Sequence, residues 1–315
     1  MGRYVVRRLL ATIVVLFLVT LVSFSIMSMV PGDPAVVMAG VGASADQVQR
    51  IREQFGLDAS FPVRLGRWYG GLLQGDLGQS ILLSRSVAQA IAERLPATLS
   101  LAALAFVLTA LGGITLGTLA ALRQGSWVDH AVMTLAVIGV SVPGFWLGLI
   151  LIVLFSVMRD WLPAGGYVPF GQSPGEWLRA LVLPAVSLAL LQVGLLARIT
   201  RSTVAETLRQ DFVRTARAKG LSGWAVVGRH AFANATIPVV TVLGISVSLL
   251  LSGSVVVETV FSIPGLGRLM ATAVLARDYP VIQGGLLATA LLFVLMNLAV
   301  DVLYAWLDPR IRLNR

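Results

Sequence analysis

Long uncharged stretches separated by short polar segments dominate the pattern of this chain. The stretches without Asp, Glu, Lys or Arg cover residues 9–30, 95–122, 131–158, 180–197, 231–257 and 279–300. A helix needs about 20 apolar residues to cross the hydrocarbon core of a bilayer, so each stretch can cross it, the fourth with the least length to spare. Because the stretches lack the period-two alternation of barrel strands, the pattern predicts an all-α integral membrane protein with six transmembrane helices.

The composition agrees with lipid as the main solvent. Of the 315 residues, 57% are apolar and 12% are charged, and the mean hydropathy of +0.86 indicates too little polar surface for a soluble globule. The absence of cysteine excludes disulfides, thiolate metal sites and a cysteine nucleophile. His130 and His230 are far apart, so a two-histidine metal centre is not expected. The single lysine, Lys219, precedes Gly220, so the chain has no phosphate-binding Gly-Lys-Ser/Thr loop, and any nucleotide must bind a partner.

The distribution of Lys and Arg predicts the orientation, because cytoplasmic loops carry the excess of positive charge. Of the 24 basic residues, 14 face one side if both termini are cytosolic: Arg3, Arg7, Arg8, Arg123, Arg198, Arg201, Arg209, Arg214, Arg217, Lys219, Arg229, Arg310, Arg312 and Arg315. The short loops on the other side hold only four, and the remaining six lie in the long segment 31–94. Both termini are therefore predicted to be cytosolic. Anionic membrane lipid accounts for the net charge of +9 without a nucleic-acid partner.

The first stretch has one alternative interpretation, as a cleaved signal peptide. Three arginines precede it, and Ala43-Ser44-Ala45 resembles a cleavage site. The stretch is longer than the apolar core of a signal peptide, and these small residues lie far beyond its end. We therefore expect it to be retained as a transmembrane helix.

The resulting organisation has four parts. Residues 1–30 hold the cytosolic N-terminal end and the first transmembrane helix, and residues 31–94 form an extracytoplasmic helical segment. Residues 95–306 form the membrane core, and residues 307–315 form a cytosolic tail. Within the core, the expected helices lie at about 95–122, 131–158, 180–199, 234–257 and 280–306, with a cytosolic loop at 200–233.

Helix signals recur within segment 31–94. Ser44 and Gln47 form a capping box for a short amphipathic helix, a second helix begins near Pro62, and Ser86 caps a third that leads through Pro96 into the second transmembrane helix. Two interpretations stay open for these helices. They are either a cover at the level of the lipid headgroups or a docking surface for an extracytoplasmic partner.

The loop between the fourth and fifth stretches is basic and contains helix signals. Residues 201–219 contain no glycine or proline and end in basic residues before Gly220, which predicts one helix with a defined C-terminal end. Ser222 caps a second short helix. By physical chemistry alone, this hairpin either rests on anionic headgroups or serves as a handle for another protein.

Four polar residues are candidates for a translocation pathway or gate, because a polar group in lipid is costly unless it faces a cavity or a partner. They are Gln192, Glu258, Asn297 and Asp301. Gln192 and Asn297 are more often expected to bond neighbouring helices. For Asp301 the favoured expectation is an ion pair with Arg198 or Arg201. For Glu258, two roles are about equally favoured: an outer gate or a helix cap.

Eight short motifs in order along the chain resemble those of one transporter family. They are Pro-Gly-Asp-Pro at 31–34, Gly-Asp-Leu-Gly-Gln-Ser at 75–80, Arg-Leu-Pro-Ala-Thr-Leu at 94–99, Ser-Val-Pro-Gly-Phe-Trp-Leu-Gly at 141–148, Asp-Phe-Val-Arg-Thr-Ala-Arg-Ala-Lys-Gly at 211–220, Glu-Thr-Val-Phe-Ser-Ile-Pro-Gly-Leu-Gly at 258–267, Arg-Asp-Tyr-Pro at 277–280 and Asp-Pro-Arg-Ile-Arg at 308–312. Together they make the chain similar to type I ABC-importer permeases of the dipeptide, oligopeptide and nickel branch.

The resemblance implies a type I permease fold in a bacterial cytoplasmic membrane, with a coupling helix that sits in a groove of an ATP-binding subunit. The residues implied for this helix and its end are Asp211, Phe212, Val213, Arg214, Thr215, Ala216, Arg217, Ala218, Lys219 and Gly220. Ala216 and Gly220 match the general permease signature. Arg214 and Thr215 depart from it.

The implied complex contains a second homologous permease subunit, two ATP-binding subunits that hold ATP and Mg, and an extracytoplasmic solute-binding protein. The chain itself is then not an enzyme and holds no cofactor or metal. Peptides are the expected cargo, with nickel chelates, glutathione and other small solutes as alternatives within the same branch.

Two other protein classes fit the sequence less well. A secondary transporter typically has repeated halves and ionisable groups at the membrane centre, whereas this chain shows no repeat and its acids lie near the ends of the stretches. A membrane-embedded enzyme needs a nucleophile with a base. Ser141, Ser187 and Ser252 have no histidine within their stretches, so they are expected to be packing residues.

Overall fold

The computed structural model describes residues 2–29, 33–40, 42–54, 56–80, 82–226, 228 and 232–307, and within them the chain is mainly helical. The helices are α1 (Gly2–Met29), α2 (Pro34–Ala39), α3 (Ala45–Gln54), α4 (Phe61–Leu73), α5 (Val87–Leu122), α6 (Trp127–Ser141), α7 (Gly144–Leu151), α8 (Pro174–Thr207), α9 (Asp211–Ala218), α10 (Gly223–Ala225), α11 (Phe232–Val260), α12 (Leu266–Ala276) and α13 (Tyr279–Leu307). A π-helical turn over Ile152–Val157 continues α7.

Within the described residues, four helices are long and apolar enough to cross a membrane: α5, α8, α11 and α13. A fifth candidate is the bent pair formed by α6 and α7 with its π-helical turn. The predicted all-α membrane class is confirmed, and within the described residues length and composition support four or five spans, so the count of six stays a prediction. The first predicted span falls in α1, whose described apolar part, Leu10–Ser25, is shorter than the others.

Pro143 divides the segment that the sequence pattern predicts as one helix over 131–158. Proline lacks a backbone N–H, and the residue before it avoids the helical region. Val142 accordingly adopts extended angles, φ −86° and ψ 124°, and ends α6. Pro143 then precedes the first residue of α7. The two helices are bent by 104° at this break, so the segment is a broken pair.

Segment 31–94 contains the predicted capping box. The Ser44 N–H donates to Gln47 Oε1 at 2.9 Å, and the Gln47 N–H donates to Ser44 Oγ at 3.3 Å, at the start of α3. The third helix predicted in this segment is not separate from the second predicted span. It is the beginning of α5, which passes through Pro96 without a break.

The chain divides into two compact units, one formed by Met1–Pro96 with Gly265–Val294 and the other by Ala97–Pro264 with Leu295–Arg315. In the first unit, an apolar cluster joins the start of α5 to α12 and α13, and its buried members are Val87, Ile91, Leu266, Ala273, Val281 and Ile282. A second contact joins α1 to α4, where the hydroxyls of Thr20 and Tyr69 lie 2.7 Å apart and Phe24 packs edge-on against Phe61.

In the first unit, α12 is a helix that the sequence pattern does not predict, since the expected helices end at about 257 and resume at about 280. Leu266 and Ala273 are buried, and Met270 packs against the same cluster. Their spacing of three and four residues is typical of one helical face. Because α12 is only 11 residues long, its pattern is weaker than that of the long apolar stretches before and after it.

In the second unit, α8 is the central helix. In the most apolar stretch of α8, 67% is buried inside the protein, compared with 22% in the corresponding stretch of α5. It packs against α6, α7 and α11. The close approach of α5 and α6 to α8 depends on glycines, which have no side chain. A Cβ added to Gly117 of α5 would lie 2.5 Å from the Ala197 carbonyl oxygen, and one added to Gly194 of α8 would lie 2.6 Å from the Ala136 carbonyl oxygen.

We expect Gly117→Val to destabilise the second unit, because the new side chain has no space between α5 and α8. Overpacking of this kind costs about 1–3 kcal/mol. Gly112→Ala is the matched control on the same helix, since its Cβ would meet only side-chain atoms of Val193 at 3.3 Å. The check is the unfolding temperature of the purified chain in detergent. Equal unfolding temperatures for the two variants would contradict this packing.

Candidate functional site

The predicted coupling loop begins later in the chain than the sequence pattern indicates. α8 continues to Thr207, a turn covers residues 208–210, and α9 follows. The single helix predicted over 201–219 is therefore two helices. Packing explains the break, because Leu208 at the turn contacts both a cluster containing Val204 and a cluster containing Val213. Because of the turn, the apolar face of α8 and that of α9 can pack in different clusters.

α9 has a buried apolar face and an exposed basic face. Val213 and Ala216 are 0% and 6% exposed and pack against Val226. The other residues predicted for the coupling helix are exposed: Asp211, Phe212, Arg214, Thr215, Arg217, Ala218, Lys219 and Gly220. The apolar face holds α9 on its own chain, so the basic face is free to meet another molecule.

The charges of α9 follow its helix dipole. Asp211 lies in the first turn and Arg217 in the last, which stabilises both ends. Arg214 approaches Asp211 at 3.3 Å, but both side chains are so exposed that this pair contributes little. Gly220 ends the helix with a φ of +79°, a conformation that glycine adopts without steric cost.

A polar tie joins α6 to α8 in the second unit. Asp129 at the start of α6 is 1% exposed, and its two carboxylate oxygens accept hydrogen bonds from Arg201 of α8, with Nη2 at 2.6 Å from Oδ2. The Gly125 N–H also donates to Asp129, at 2.9 Å. Beside this pair, Arg209 donates to the Gln124 side-chain oxygen at 3.1 Å. These bonds fix α6 and its preceding turn to the end of α8 that leads into α9.

A cavity of about 400 Å³ lies between this tie and α9. It is lined by Gln124, Arg201, Ser202, Ala205, Glu206, Arg209, Gln210, Asp211 and Arg214. Its three arginines are accompanied by two carboxylates, so its charge is nearly balanced. Such a mixed lining suits a polar protein surface or water better than an isolated anion.

Two of the four pathway candidates are acids. Glu258 is 0% exposed, and its Oε1 accepts a hydrogen bond from Thr98 at 2.7 Å, which links α11 to α5. In this structure Glu258 therefore lies inside the helix packing. The side chain of Asp301 lies outside the described part of the chain. Arg201, which was considered as its ion-pair partner, bonds Asp129.

The other two pathway candidates are amides that bond neighbouring helices. Ser246 of α11 donates to Gln192 Oε1 of α8 at 3.2 Å, and Ser248 of α11 donates to Asn297 Oδ1 of α13 at 3.4 Å. Gln192 is 4% exposed. Both amides are placed where they join α11 to its neighbours.

An ion pair organises part of segment 31–94. Arg52 of α3 donates to Asp33, which caps α2. The Arg52 guanidinium holds the pKa of the Asp33 carboxyl below its ordinary value; burial opposes this shift, and the Ala35 N–H reinforces it. The same bond raises the pKa of Arg52. Because the pKa of Asp33 is lowered, the pair contributes stability above about pH 4 and loses it as the pH falls through the lowered pKa.

Asp129 and Thr98 are candidates that the sequence pattern does not single out. Asp129 precedes an apolar stretch by two residues and looks like a solvated acid at a helix start. Thr98 is one of many hydroxyls in apolar helices. Their partners are 72 and 160 residues away in sequence, so only the tertiary structure reveals them. Among the described residues, no group of three His, Asp or Glu side chains could hold a metal ion.

The family models that match the chain describe transport membrane components. The binding-protein-dependent transport system inner membrane component matches residues 113–313, and the N-terminal part of the corresponding membrane component matches residues 1–102. A putative peptide transport system permease protein of Brucella abortus is 52% identical over 312 residues, which cover 99% of each chain. A glutathione transport system permease protein of Escherichia coli K12 is 43% identical over 312 residues, with the same coverage.

A solved structure supports the fold. The MetNI methionine ABC transporter, in its inward facing conformations, matches with a TM-score of 0.58 and 18% sequence identity. The match covers 70% of this chain and 97% of that chain. At this identity the likeness shows a shared fold and nothing further.

We expect Arg201→Ala to destabilise the second unit by roughly 3 kcal/mol, because it leaves the Asp129 carboxylate buried without its cation. The double variant Asp129→Asn with Arg201→Gln should recover part of this loss, since neither group is then charged. Arg209→Ala, which removes an exposed hydrogen bond, is the control and should cost less than about 1 kcal/mol. Unfolding in detergent measures all three variants. A double variant that is no more stable than Arg201→Ala would argue against the pair.

Proposed function

This chain belongs to the family of binding-protein-dependent transport system inner membrane components, and we propose that it is the permease subunit of an ATP-driven importer of di- or oligopeptides. The observation that carries the proposal is the construction of α9. Its apolar face packs on its own chain, while its basic face and Phe212, 43% exposed, point outward. A short folded element built in this way suits a partner groove.

The proposed partner of α9 is a cytosolic ATP-binding subunit, with one such subunit for each of two permease chains. ATP and Mg are held by those subunits and not by this chain. Closure of the two ATP-binding subunits on each other would move α9. Since α8 leads into the loop through a three-residue turn and is tied to α6 by Asp129 and Arg201, the movement would reach the membrane helices as a rigid-body tilt. That tilt would open the pathway alternately to each side.

The proposed topology has six membrane spans with both termini in the cytosol. In this orientation the basic face of α9 lies on the side that carries most of the Lys and Arg residues, in accord with the positive-inside rule. Segment 31–94 then lies outside, where a solute-binding protein delivers the cargo. A second, homologous permease subunit completes the channel, because one chain supplies only half of its wall.

The proposed pathway runs beside the polar groups of the second unit. Gln192 and Asn297 each accept a hydrogen bond from a serine of α11, and Glu258 and Asp301 lie nearer the ends of α11 and α13. A hydrogen bond between two helices can be exchanged for one to a passing solute without leaving a polar group unpaired in lipid. We therefore assign these four residues to the pathway or its gates.

Peptides are the proposed cargo because relatives that match along the whole chain are named for peptide transport. Glutathione is the second candidate. It is itself a short peptide, and a relative with 43% identity is named for its transport. Both solutes present an amine, carboxylates and amide groups, so a pathway that contains two amides and two carboxylates suits either.

Replacing Arg214, Arg217 and Lys219 together with Glu should uncouple uptake from ATP hydrolysis, because the exposed face of α9 changes from basic to acidic. We expect uptake by the assembled complex to fall at least about tenfold, a loss of roughly 1.4 kcal/mol in coupling. Membrane insertion should be unchanged, because Val213 and Ala216 still pack. The measurements are labelled solute uptake and ATPase activity in proteoliposomes.

The charge-preserving triple Arg214→Lys, Arg217→Lys and Lys219→Arg is the control for this experiment, and it should retain most of the uptake. Full transport by the acidic triple would remove the case for α9 as the coupling element.

The cargo is tested by competition. In cells that depend on this transporter for uptake of a labelled dipeptide, an excess of unlabelled di- and oligopeptides should suppress uptake, whereas amino acids should not. Suppression by glutathione alone would shift the assignment to the second candidate. Persistence of uptake after the membrane ion gradient is collapsed, with ATP maintained, separates the proposed importer from a gradient-driven transporter.

A further inference from the structure

The strap, residues 162–167, lies in the loop between the π-helical turn and α8. Hydrogen bonds hold it across the second unit. The Gly166 N–H donates to the carbonyl oxygen of Phe261, the residue that follows α11, at 2.9 Å. The hydroxyls of Tyr167 and of Ser100 on α5 lie 3.2 Å apart. The strap therefore crosses from the end of α11 to α5.

The strap fits closely against the end of α11. A Cβ added to Gly165 would lie 2.0 Å from the Phe261 carbonyl oxygen, so only glycine fits at this position. Gly166 follows with a φ of +97°, a backbone conformation that glycine adopts without steric cost. Leu162 and Tyr167 pack against the apolar cluster that contains Phe261. The sequence of the strap is therefore matched to this seated position.

The strap spans the junction at which Glu258 is buried. Thr98 of α5 donates to Glu258 of α11 at 2.7 Å, and Glu258 is 0% exposed. Ser100, which bonds the strap, follows Thr98 by two residues. Phe261, which also bonds the strap, follows Glu258 by three residues. In the proposed orientation the loop that contains the strap is extracytoplasmic, so the strap lies on the outer side of this junction.

The ends of the loop are anchored on α8, whereas the strap between them rests on α5 and the end of α11. Arg179 Nη2 of α8 donates to the Trp161 carbonyl oxygen at 3.2 Å. The rings of Phe170 and of Trp177 on α8 pack edge-on, with their centroids 5.3 Å apart. Loss of one hydrogen bond shifts an equilibrium by roughly two- to tenfold. The strap can therefore lift from its seat and return while both ends of the loop stay attached.

We propose that the strap is the outer gate of the solute pathway. Glu258 is one of the residues assigned to that pathway, and a solute from outside reaches a fully buried carboxylate only after the structure around it moves. Release of the strap opens the outer side of the junction between α5 and α11 without unfolding a helix. The strap lifts when the pathway opens outward and closes again behind the solute. The inference rests on the proposed function, since it assigns a gate to the pathway of that importer.

The first test measures access to the buried junction. The chain contains no cysteine, so Thr98→Cys gives it a single thiol, whose reaction with a polar maleimide is followed in the assembled complex in lipid nanodiscs. Gly165→Ala should raise the reaction rate at least about fivefold, because the new methyl group displaces the strap. Tyr167→Phe, which removes only the hydroxyl beside Ser100, should raise it roughly two- to tenfold. Gly171→Ala is the matched control in the same loop, since its Cβ would meet no atom within 4 Å, and it should leave the rate unchanged.

A thiol at the other end of α5 reports whether the second unit loosens as a whole. Ala121 is 5% exposed, and Ala121→Cys should react slowly with or without Gly165→Ala or Tyr167→Phe. Equal rates at Thr98→Cys for these two variants and for the control would overturn the gate. An equal acceleration at Ala121→Cys would overturn it as well, because the variants would then act on the unit in general.

The second test fastens the strap in its seat. Ser100→Cys with Tyr167→Cys, bridged by a short bifunctional thiol reagent that dithiothreitol cleaves, should abolish ATP-driven uptake of a labelled dipeptide, and dithiothreitol should restore it. This arm needs no change at Gly165, so it decides the question even if Gly165→Ala does not assemble. Gly171→Cys with Gly175→Cys is the control pair. It bridges the loop to α8 outside the strap, at positions where a Cβ meets no atom within 4 Å, and should retain uptake.

The outcomes separate this inference from the proposed function. If the complex without added cysteines shows no ATP-driven uptake of any peptide or of glutathione, the proposed function itself fails. If that complex transports and uptake continues at full rate with the strap bridged, only the gate is rejected.

Discussion

Polar side chains within the apolar helices must find partners inside the protein, because the hydrocarbon of a bilayer offers none. For several of these side chains, the second unit meets this constraint with hydrogen bonds between helices that are far apart in sequence. Thr98 meets Glu258, Gln192 meets Ser246, and Asp129 meets Arg201. Each of these bonds takes the place of the hydrogen bonds to water that both groups would make in solution. The positions of the helices therefore depend on a small number of polar contacts as well as on apolar packing.

The same contacts give α8 its central place. It is the most deeply buried of the long helices, it is bonded to α6 and α11, and it accepts close approach of α5 at Gly117. A helix held on several sides moves with its neighbours and bends little. Because α9 follows α8 after only three residues, a displacement applied to the loop has a stiff path into the helix bundle.

Periodicity in the sequence predicts most of the fold, and the basic residues before Gly220 predict the end of α9 but not its separation from α8. Apolar runs locate α5, α8, α11 and α13, and the Ser44 and Gln47 pair locates α3. The break at Pro143 is less evident, because proline is tolerated inside α5 at Pro96 and inside α8 at Pro184. Whether a proline bends or breaks a helix depends on the neighbours that supply its missing bonds. Likewise, tertiary packing determines the partners of Asp129 and Glu258, and no local sequence pattern indicates them.

The broken pair α6 and α7 has a consequence for how the chain enters the membrane. α6 has 15 residues, and α7 with its π-helical turn has 8 and 6, so each arm is about 20 Å long at a rise of 1.5 Å per residue. Neither arm alone crosses a hydrocarbon layer about 30 Å thick. Both arms pack on α8, which follows them in the chain. We therefore expect this segment to reach its final depth during biosynthesis only after α8 has been made and inserted beside it.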